Sequence, residues 1–247
     1  IIDSGISWIS TSDTETLLAG FELWGIEETI KKCSGMFSFA VWCNKSRVLT
    51  LGRDRLGEKP LYYGWQGEGE QRVFLFGSEI KSFLKHPGFS KEINRDAIST
   101  FLRNSYIPAP NSIYKGIFKL LPGCLLKVSI NDQNPIISEY WSASKFIKKD
   151  KKLIFHSDIE AAEKLDYILQ QSVKQQMIAD VPLGAFLSGG IDSSVIVSMM
   201  QSQSLKKIRT FTIGFNQKEF NEANHAKAIA SHLQTDHSEL YIDSSDL

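Results

Sequence analysis

The stretch AFLSGGIDSSVIV, Ala185–Val197, decides the fold of the second half of this 247-residue chain. A short apolar run from Val181 to Leu187 breaks into Ser188-Gly189-Gly190, and an apolar run with helical spacing resumes a few residues later. Glycines let the backbone turn tightly and present its N–H groups. A strand, a glycine loop and a helix N-terminus together form an anion site, most often for phosphate. The stretch therefore predicts a phosphate-binding loop.

Asp192, Ser193 and Ser194 are residue types that cap helices, so we expect the helix to begin at them, with its positive end facing the loop. The pattern is not the P-loop pattern, which needs four residues between its glycines and a Lys-Ser/Thr after them. A plain Ser/Gly turn between a strand and a helix is the alternative interpretation.

Composition is that of a soluble globular protein, with 42% hydrophobic and 23% charged residues. Lys plus Arg equals Asp plus Glu at 28 each, which gives no reason to expect a nucleic acid or a membrane surface as partner. No apolar run reaches bilayer length and no signal peptide is visible. The three cysteines, Cys33, Cys43 and Cys124, lack zinc-ligand spacing and are expected to be buried and reduced in a cytoplasmic protein.

The first half of the chain predicts a capped helix followed by strands. Polar residues 11–15 precede an apolar pattern that ends at Gly25, which indicates a helix of about three turns. Close spacing of the next apolar runs predicts antiparallel pairing in one sheet packed between layers. The runs are Met36–Trp42, Val48–Arg53, Leu61–Trp65 and Val73–Phe76, and helices at 79–85 and 95–103 and a strand at 125–130 follow.

The second half of the chain predicts a different architecture. Lysines crowd residues 145–152 without a clear period, so we place the domain linker at 143–157. Asp158 is expected to cap a long amphipathic helix whose apolar face carries Ile159, Ala162, Leu165, Leu169 and Val173. Beyond it, strands alternate with helices, which predicts a parallel, doubly wound sheet with its ligand at the carboxyl ends of the strands.

The string SGGIDSS resembles the SGGxDS pyrophosphate loop of ATP-pyrophosphatases, which split ATP between its α and β phosphates. With its flanks VPLGAFLSGGIDSS and RTFTIGF, it is similar to the synthetase domain of glutamine-dependent asparagine synthetases. The segments SDTETLLAGFELWG, CSGMFSFAVW, RDRLGEKPLYYG, GSEIKSFL and LPGCLL resemble the later part of a class II glutamine amidotransferase domain. The resemblance covers residues 12–141 and 163–241.

The resemblance implies an α/β protein of two domains. Residues 1–142 would be an N-terminal-nucleophile hydrolase α/β/β/α sandwich lacking its N-terminus, and 143–157 the linker. Residues 158–247 would be a doubly wound parallel-sheet ATP-pyrophosphatase domain lacking its C-terminus. Because the chain opens on Ile1 and stops at Leu247, we expect an internal fragment of a longer protein.

The resemblance also implies a glutamine site. In this family an N-terminal cysteine attacks the glutamine side chain, using its own α-amino group as base. We expect that cysteine upstream of Ile1, so no catalytic residue is assigned within the chain. Asp13 matches the aspartate that pairs with the α-ammonium of glutamine, and a plain helix N-cap is the alternative for Asp13.

For ATP, the resemblance points to the loop and to positions around the adenosine. The implied ATP-binding residues are Leu187, Ser188, Gly189, Gly190, Asp192, Ser193, Ser194, Ile213 and Gly214. Asp192 is expected near a Mg²⁺ ion or as an organiser of the loop rather than on a bare phosphate, since two anions repel. A purely structural place in the strand core is the alternative for Leu187 and Ile213.

The implied activity is a ligase that amidates aspartate to asparagine through β-aspartyl-AMP, using glutamine, ATP and Mg²⁺ and releasing AMP and pyrophosphate. A homodimer fits the family, and no nucleic-acid or membrane partner is expected. The alternatives are an amidotransferase for another carboxylate, such as a surface-polysaccharide sugar acid, and a nucleotide-binding regulatory protein without glutaminase activity.

Three features stay open at the sequence level. The string Arg53–Pro60, RDRLGEKP, is interpreted as a structural turn with an Arg–Asp54 ion pair, and a lining of an ammonia path is the alternative. Cys124 and His225 depart from the family pattern, and both are expected to lie away from the phosphate contacts. The five histidines have no metal-ligand spacing.

Overall fold

The computed structural model describes residues 5, 7–149, 155–215 and 221–242. The chain divides into two compact units, residues 1–152 and 153–247, and each is described by itself. Among the described residues, no helix combines the length and the apolar character that crossing a membrane requires.

The first unit contains two β-sheets and several helices. Its helices are α1 (Asp13–Trp24), α2 (Ile26–Lys32), α3 (Ile80–Phe83), α4 (Arg95–Asn104) and α5 (Ala143–Lys149). Its strands are β1 (Ser38–Cys43), β2 (Val48–Arg53), β3 (Tyr62–Gln66), β4 (Val73–Gly77), β5 (Phe118–Lys119), β6 (Cys124–Ser129) and β7 (Ile136–Glu139).

Helix α1 confirms the predicted capped helix. The Ser12 side chain accepts a hydrogen bond from the Thr14 N–H, and Gly25, at φ 79°, ends the helix. Because Ser12 is the N-cap, Asp13 is the first helical residue, and the alternative that Asp13 is itself a plain N-cap is wrong.

The strands of the first unit form two antiparallel sheets, ordered β1-β2-β6-β7 and β4-β3-β5, so the prediction of one sheet for the first four is wrong. A turn around Asp54 ends β2, and the chain then enters β3 of the other sheet. Leu51 and Leu126 of one sheet share a core cluster with Tyr63 of the other. Burial of these side chains joins the sheets within the unit.

The second unit alternates helices and parallel strands. Its elements are α6 (Asp158–Gln176), β8 (Gly184–Phe186), α7 (Ile191–Ser202), β9 (Arg209–Phe215), α8 (Ala223–Leu233) and β10 (Asp236–Ile242). The sheet order is β10-β9-β8, and both pairs are parallel, as the sequence predicted.

The predicted linker is partly helical, because α5 occupies residues 143–149, while residues 150–154 lie outside the described part. The N-cap of α6 is Ser157, whose hydroxyl accepts from the Glu160 N–H at 3.2 Å. Asp158 is therefore the first helical residue and not the cap. A serine before an acidic first turn competes for the cap with the aspartate that follows it.

Only the last turns of α6 pack as predicted. Val173 is buried and Leu169 packs beside it. Ile159, Ala162 and Leu165, earlier on the same face, are exposed.

Helices α7 and α8 pack on one face of the parallel sheet. Val197 of α7 and Ala226 of α8 share a buried cluster with Leu187. Large side chains of the opposite face are exposed: Phe186, Phe211, Ile213, Phe215 and Leu240. A doubly wound sheet has helices on both faces, and the described residues of this unit cover one.

Candidate functional site

The glycine loop leaves the carboxyl end of β8. Leu187 follows the strand and is 1% exposed, with its N–H bonded to the Phe211 carbonyl. Gly189 has φ +83°, a conformation that side chains rarely adopt. The tight turn that the sequence predicted is therefore present, and it is anchored in the core at Leu187.

Serine hydroxyls organise the loop from within. The Ser193 hydroxyl oxygen lies 2.9 Å from that of Ser188, accepts from the Ser188 N–H at 3.2 Å and lies 3.2 Å from the Gly190 carbonyl oxygen. The Ser194 hydroxyl donates to the same carbonyl at 2.6 Å. Ser193 thus ties both ends of the turn together, whereas Ser194 is tied to one carbonyl.

Helix α7 begins at Ile191, ahead of Asp192, Ser193 and Ser194, where the sequence placed its start. Its N-cap is Gly190, at φ −75° and ψ 164°, with no side-chain cap, and Asp192 lies exposed in the first turn. The first intrahelical bond runs from the Ser194 N–H to the Gly190 carbonyl at 3.1 Å. The N–H groups of residues 191–193 precede that bond, so they point out of the helix end at which the dipole is positive.

The predicted adenosine positions lie in different surroundings. Gly214 is buried on the helix-covered face of β9, where an added Cβ would lie 2.7 Å from the Tyr241 ring and 3.1 Å from the Ala223 Cβ. Ile213 is 46% exposed on the other face, so it is not strand core. The Leu187 side chain does lie in the core, as its structural alternative held.

The first turn of α8 contacts the loop, which the sequence interpretation missed. A Cβ on Gly189 would lie 2.8 Å from the Cβ of His225 and 3.0 Å from the Ala226 nitrogen. The expectation that His225 lies away from the loop is therefore wrong. The topology of the fold could have indicated this contact, because the helix N-termini of a parallel α/β sheet lie at the carboxyl edge of its strands.

A polar network runs along β10 and joins it to β9 and to α8. His237 Nδ1 lies 2.9 Å from the Thr210 hydroxyl, while its Nε2 is buried without a hydrogen-bond partner, 3.8 Å from Glu239. The Tyr241 hydroxyl donates to Glu239 at 2.9 Å, and Lys227 lies 3.3 Å from the same carboxylate. The Tyr241 hydrogen bond, followed by Lys227, lowers the pKa of Glu239.

Asp192 and Glu222 are exposed carboxylates of the described segments at this edge. Within the described residues, no three His, Cys, Asp or Glu side chains cluster as a metal site would require. Mg²⁺ commonly binds through one or two carboxylates together with substrate phosphates. The edge therefore has carboxylates of the kind that bind Mg²⁺ together with substrate phosphates, and its described residues form no preformed metal cluster.

In the first unit, Asp13 lines an open cavity of about 360 Å³. The cavity is bounded by α1, by residues 36–41 and by Lys59. Asp13 is exposed, and the structure shows no cation paired with it among the described residues. The Thr14 hydroxyl donates to Asp13 Oδ1 at 3.4 Å, and the exposed carboxylate remains accessible to a ligand.

The string Arg53–Pro60 is a structural turn, but without the expected ion pair. The Asp54 carboxylate, 1% exposed, accepts from the backbone N–H groups of residues 56, 58 and 59. The Arg53 guanidinium donates to the carbonyls of residues 57, 59 and 120. Desolvation lowers the pKa of Arg53, and the nearby Asp54 partly offsets it. The Asp54 and Arg53 side chains thus both form hydrogen bonds with backbone groups instead of with each other.

The cysteines differ in burial. Cys124 is buried and Cys33 is half-buried, and desolvation raises the pKa of both thiols. Cys43 is exposed, so the expectation of a buried residue is wrong there, and hydrogen bonding to Ser46 lowers its pKa. All three are internal to the chain and carry no free α-amino group.

Two family models match the chain. Residues 1–141 match the model of the glutamine amidotransferase domain, and residues 164–247 match that of asparagine synthase. The two matches follow one another in the order of the two structural units.

Curated relatives agree with these matches. A Methanocaldococcus jannaschii protein provisionally named asparagine synthetase [glutamine-hydrolyzing] 2 is 36% identical over 240 residues, covering 95% of this chain and 44% of the relative. A similarly named Mycobacterium bovis protein is 32% identical, over 94% of this chain and 35% of the relative. Asparagine synthetase [glutamine-hydrolyzing] 3 of Bacillus subtilis is 33% identical, over 85% of this chain and 33% of the relative. The chain thus spans less than half the length of these relatives.

Proposed function

The chain belongs to the family of glutamine-dependent asparagine synthetases, and on that premise we propose that the full-length protein amidates aspartate to asparagine at the expense of ATP. Ammonia released from glutamine by the first domain would displace AMP from β-aspartyl-AMP formed in the second. The observation that carries the proposal is the loop Ser188–Ser194, whose outward N–H groups lie at the carboxyl edge of a parallel sheet.

The loop residues have distinct roles in this proposal. N–H groups of residues 191–193 would hold the pyrophosphate portion of ATP and stabilise it as the aspartate β-carboxylate attacks the α phosphate. Ser188 and Ser193 would keep the turn in shape, with Gly189 and Gly190 allowing close approach and Ser194 securing the helix start. Leu187, Ile213 and Gly214 would lie around the adenosine. Asp192 would hold Mg²⁺, which offsets the negative charge of the departing pyrophosphate.

For the first domain, we propose that Asp13 binds the α-ammonium of glutamine from the side of the cavity. A carboxylate facing an ammonium makes a charge-assisted contact. Asp13→Asn should raise the KM for glutamine about tenfold or more, while synthesis supported by free ammonia stays at the unmodified level. Glu22→Gln, on the same helix, is the matched control. Equal KM values for glutamine in Asp13→Asn and in the unmodified protein would show that Asp13 does not bind glutamine.

The domain organisation proposed is 1–142, 143–157 and 158–247. It is supported by the family matches and by the division of the chain at residue 152. We propose that the two antiparallel sheets are the inner layers of an α/β/β/α sandwich, and that the parallel sheet belongs to a doubly wound domain. We propose that the full-length protein is a cytoplasmic enzyme and a homodimer. Light scattering measures the molecular mass of the full-length protein and so tests the homodimer.

A panel of carboxylic acids tests the proposed reaction. The full-length protein is incubated with MgATP and either glutamine or ammonia, and pyrophosphate release is followed with aspartate, hexuronates and other acids. We expect release that depends on aspartate, with asparagine as product. Release with another acid alone would keep the chemistry and change the substrate. ATP binding without release for any acid would favour a regulatory role.

A further inference from the structure

The contact between α8 and the phosphate loop brings an ionisable side chain to the site. His225 lies in the first turn of α8, and its Cβ and carbonyl carbon would lie 2.8 and 3.2 Å from a Cβ at Gly189. Only a glycine permits this approach, so the loop backbone packs directly against the helical turn. The side chain of His225 is exposed at that point.

The backbone of this turn has little left to offer a ligand. The N–H groups of His225 and Ala226 both donate to the Glu222 carbonyl at 3.1 Å, and the Ala223 N–H donates to the Asn221 side chain at 3.1 Å. The part of α8 beside the loop therefore has few free N–H groups, and the exposed side chain that begins there, from a Cβ close to Gly189, is that of His225.

The described segments around the loop contain carboxylates and no lysine or arginine. Within the described residues 184–194, 212–215, 221–226 and 240–242 there is no lysine or arginine. The same segments contain the carboxylates of Asp192 and Glu222. The next cation along α8, Lys227, is paired with Glu239. A triphosphate carries several negative charges and accepts hydrogen bonds, and the His225 imidazole has a ring N–H that can donate to a phosphate oxygen.

We propose that His225 is a further phosphate-binding residue of this site, its imidazole donating a hydrogen bond to the β or γ phosphate of ATP. The proposal rests on the proposed function of the loop and adds to it a side chain from the next helix. We infer contact with the pyrophosphate portion because His225 lies beside Gly189, and the loop that contains Gly189 is the one proposed to hold that portion. It also means that AMP, which lacks that portion, should not use His225.

Comparing ATP with AMP tests the proposal. Equilibrium dialysis of the full-length protein gives the Kd of each nucleotide in the presence of Mg²⁺. His225→Ala should weaken ATP binding about tenfold and change AMP binding by less than about twofold, because one hydrogen bond to a charged group is lost. His225→Gln, which keeps an N–H donor, should recover part of the loss. His232→Ala is the control on the same helix, two turns further from the loop.

The outcomes separate this inference from the proposed function. Unchanged ATP binding in His225→Ala overturns the inference and leaves the proposed function standing. Equal weakening of ATP and AMP also overturns it, since that result marks a structural role for His225. Failure of the unmodified protein to bind ATP overturns the proposed function itself. Retained AMP binding in His225→Ala shows that the variant is folded.

Discussion

Two polar strings in this chain follow a strand, and they use their polar groups in opposite ways. In RDRLGEKP, Arg53–Pro60, the Asp54 carboxylate and the Arg53 guanidinium are bound by backbone groups of their own unit. In SGGIDSS, Ser188–Ser194, the aspartate is exposed and first-turn N–H groups remain outside the helix bonds.

The difference separates a structural turn from a binding loop. Both strings combine glycine with charged or hydroxyl residues, so composition does not tell them apart. The Asp54 carboxylate is 1% exposed and bound by three N–H groups, so it is not accessible to a ligand. A helix end with unmatched N–H groups requires a partner, whether water or an anion.

The largest expected effect falls on the structural turn. Asp54→Ala leaves three backbone N–H groups without their acceptor and should lower the free energy of unfolding of the first unit by about 3 kcal/mol. All five tryptophans of the chain lie before residue 153, so tryptophan fluorescence in urea reports on this unit.

Asp192→Ala is the matched control for the other string, since the Asp192 side chain is exposed. By circular dichroism it should change the free energy of unfolding by less than about 0.5 kcal/mol. A loss below about 1 kcal/mol for Asp54→Ala would remove the distinction between the two strings.

Next in size is a change to the loop backbone. Gly189→Ala forces a side chain into φ +83° and within 3.0 Å of the α8 backbone, so it should cost about 1–2 kcal/mol of stability and weaken ATP binding more than about tenfold. Gly190→Ala is the comparison, because its Cβ would meet only the Ser188 hydroxyl at 3.5 Å. Equal unfolding curves for the two alanine variants would contradict the account of the turn.

A smaller effect separates the two serines. Ser193→Ala removes the hydroxyl that bridges Ser188 and Gly190, and should weaken ATP binding about fivefold. Ser194→Ala removes one bond to a carbonyl that the Ser194 N–H already binds, so its effect should be smaller. Isothermal titration with ATP measures both. A larger loss for Ser194→Ala would reverse the roles assigned to the two hydroxyls.

Local patterns predicted the elements of this fold well. The strand Val48–Arg53 has the predicted bounds, and the helix predicted at 95–103 ends one residue later, at Asn104, because apolar spacing and flanking turn residues determine both. Sheet membership was not predictable in this way. β2 pairs with β6, some eighty residues later, and no local signal reports such a partner.

The candidate site was predicted in part for the same reason. The glycine loop is a contiguous motif, so the sequence revealed it. The start of α7 was misplaced because the extended backbone of Gly190 caps the helix, whereas side-chain preference favoured Asp192 and the serines. The contact of His225 with Gly189 joins residues 36 positions apart. It depends on the pairing of β8 with β9, which no local sequence pattern reports.

The products formed from ATP test the central claim most directly. The full-length protein is supplied with aspartate, glutamine and ATP labelled at the α or the γ phosphate, and the labelled products are separated. A loop that holds the pyrophosphate portion predicts α label in AMP and γ label in pyrophosphate. Label in ADP and inorganic phosphate would contradict the role assigned to Ser188–Ser194.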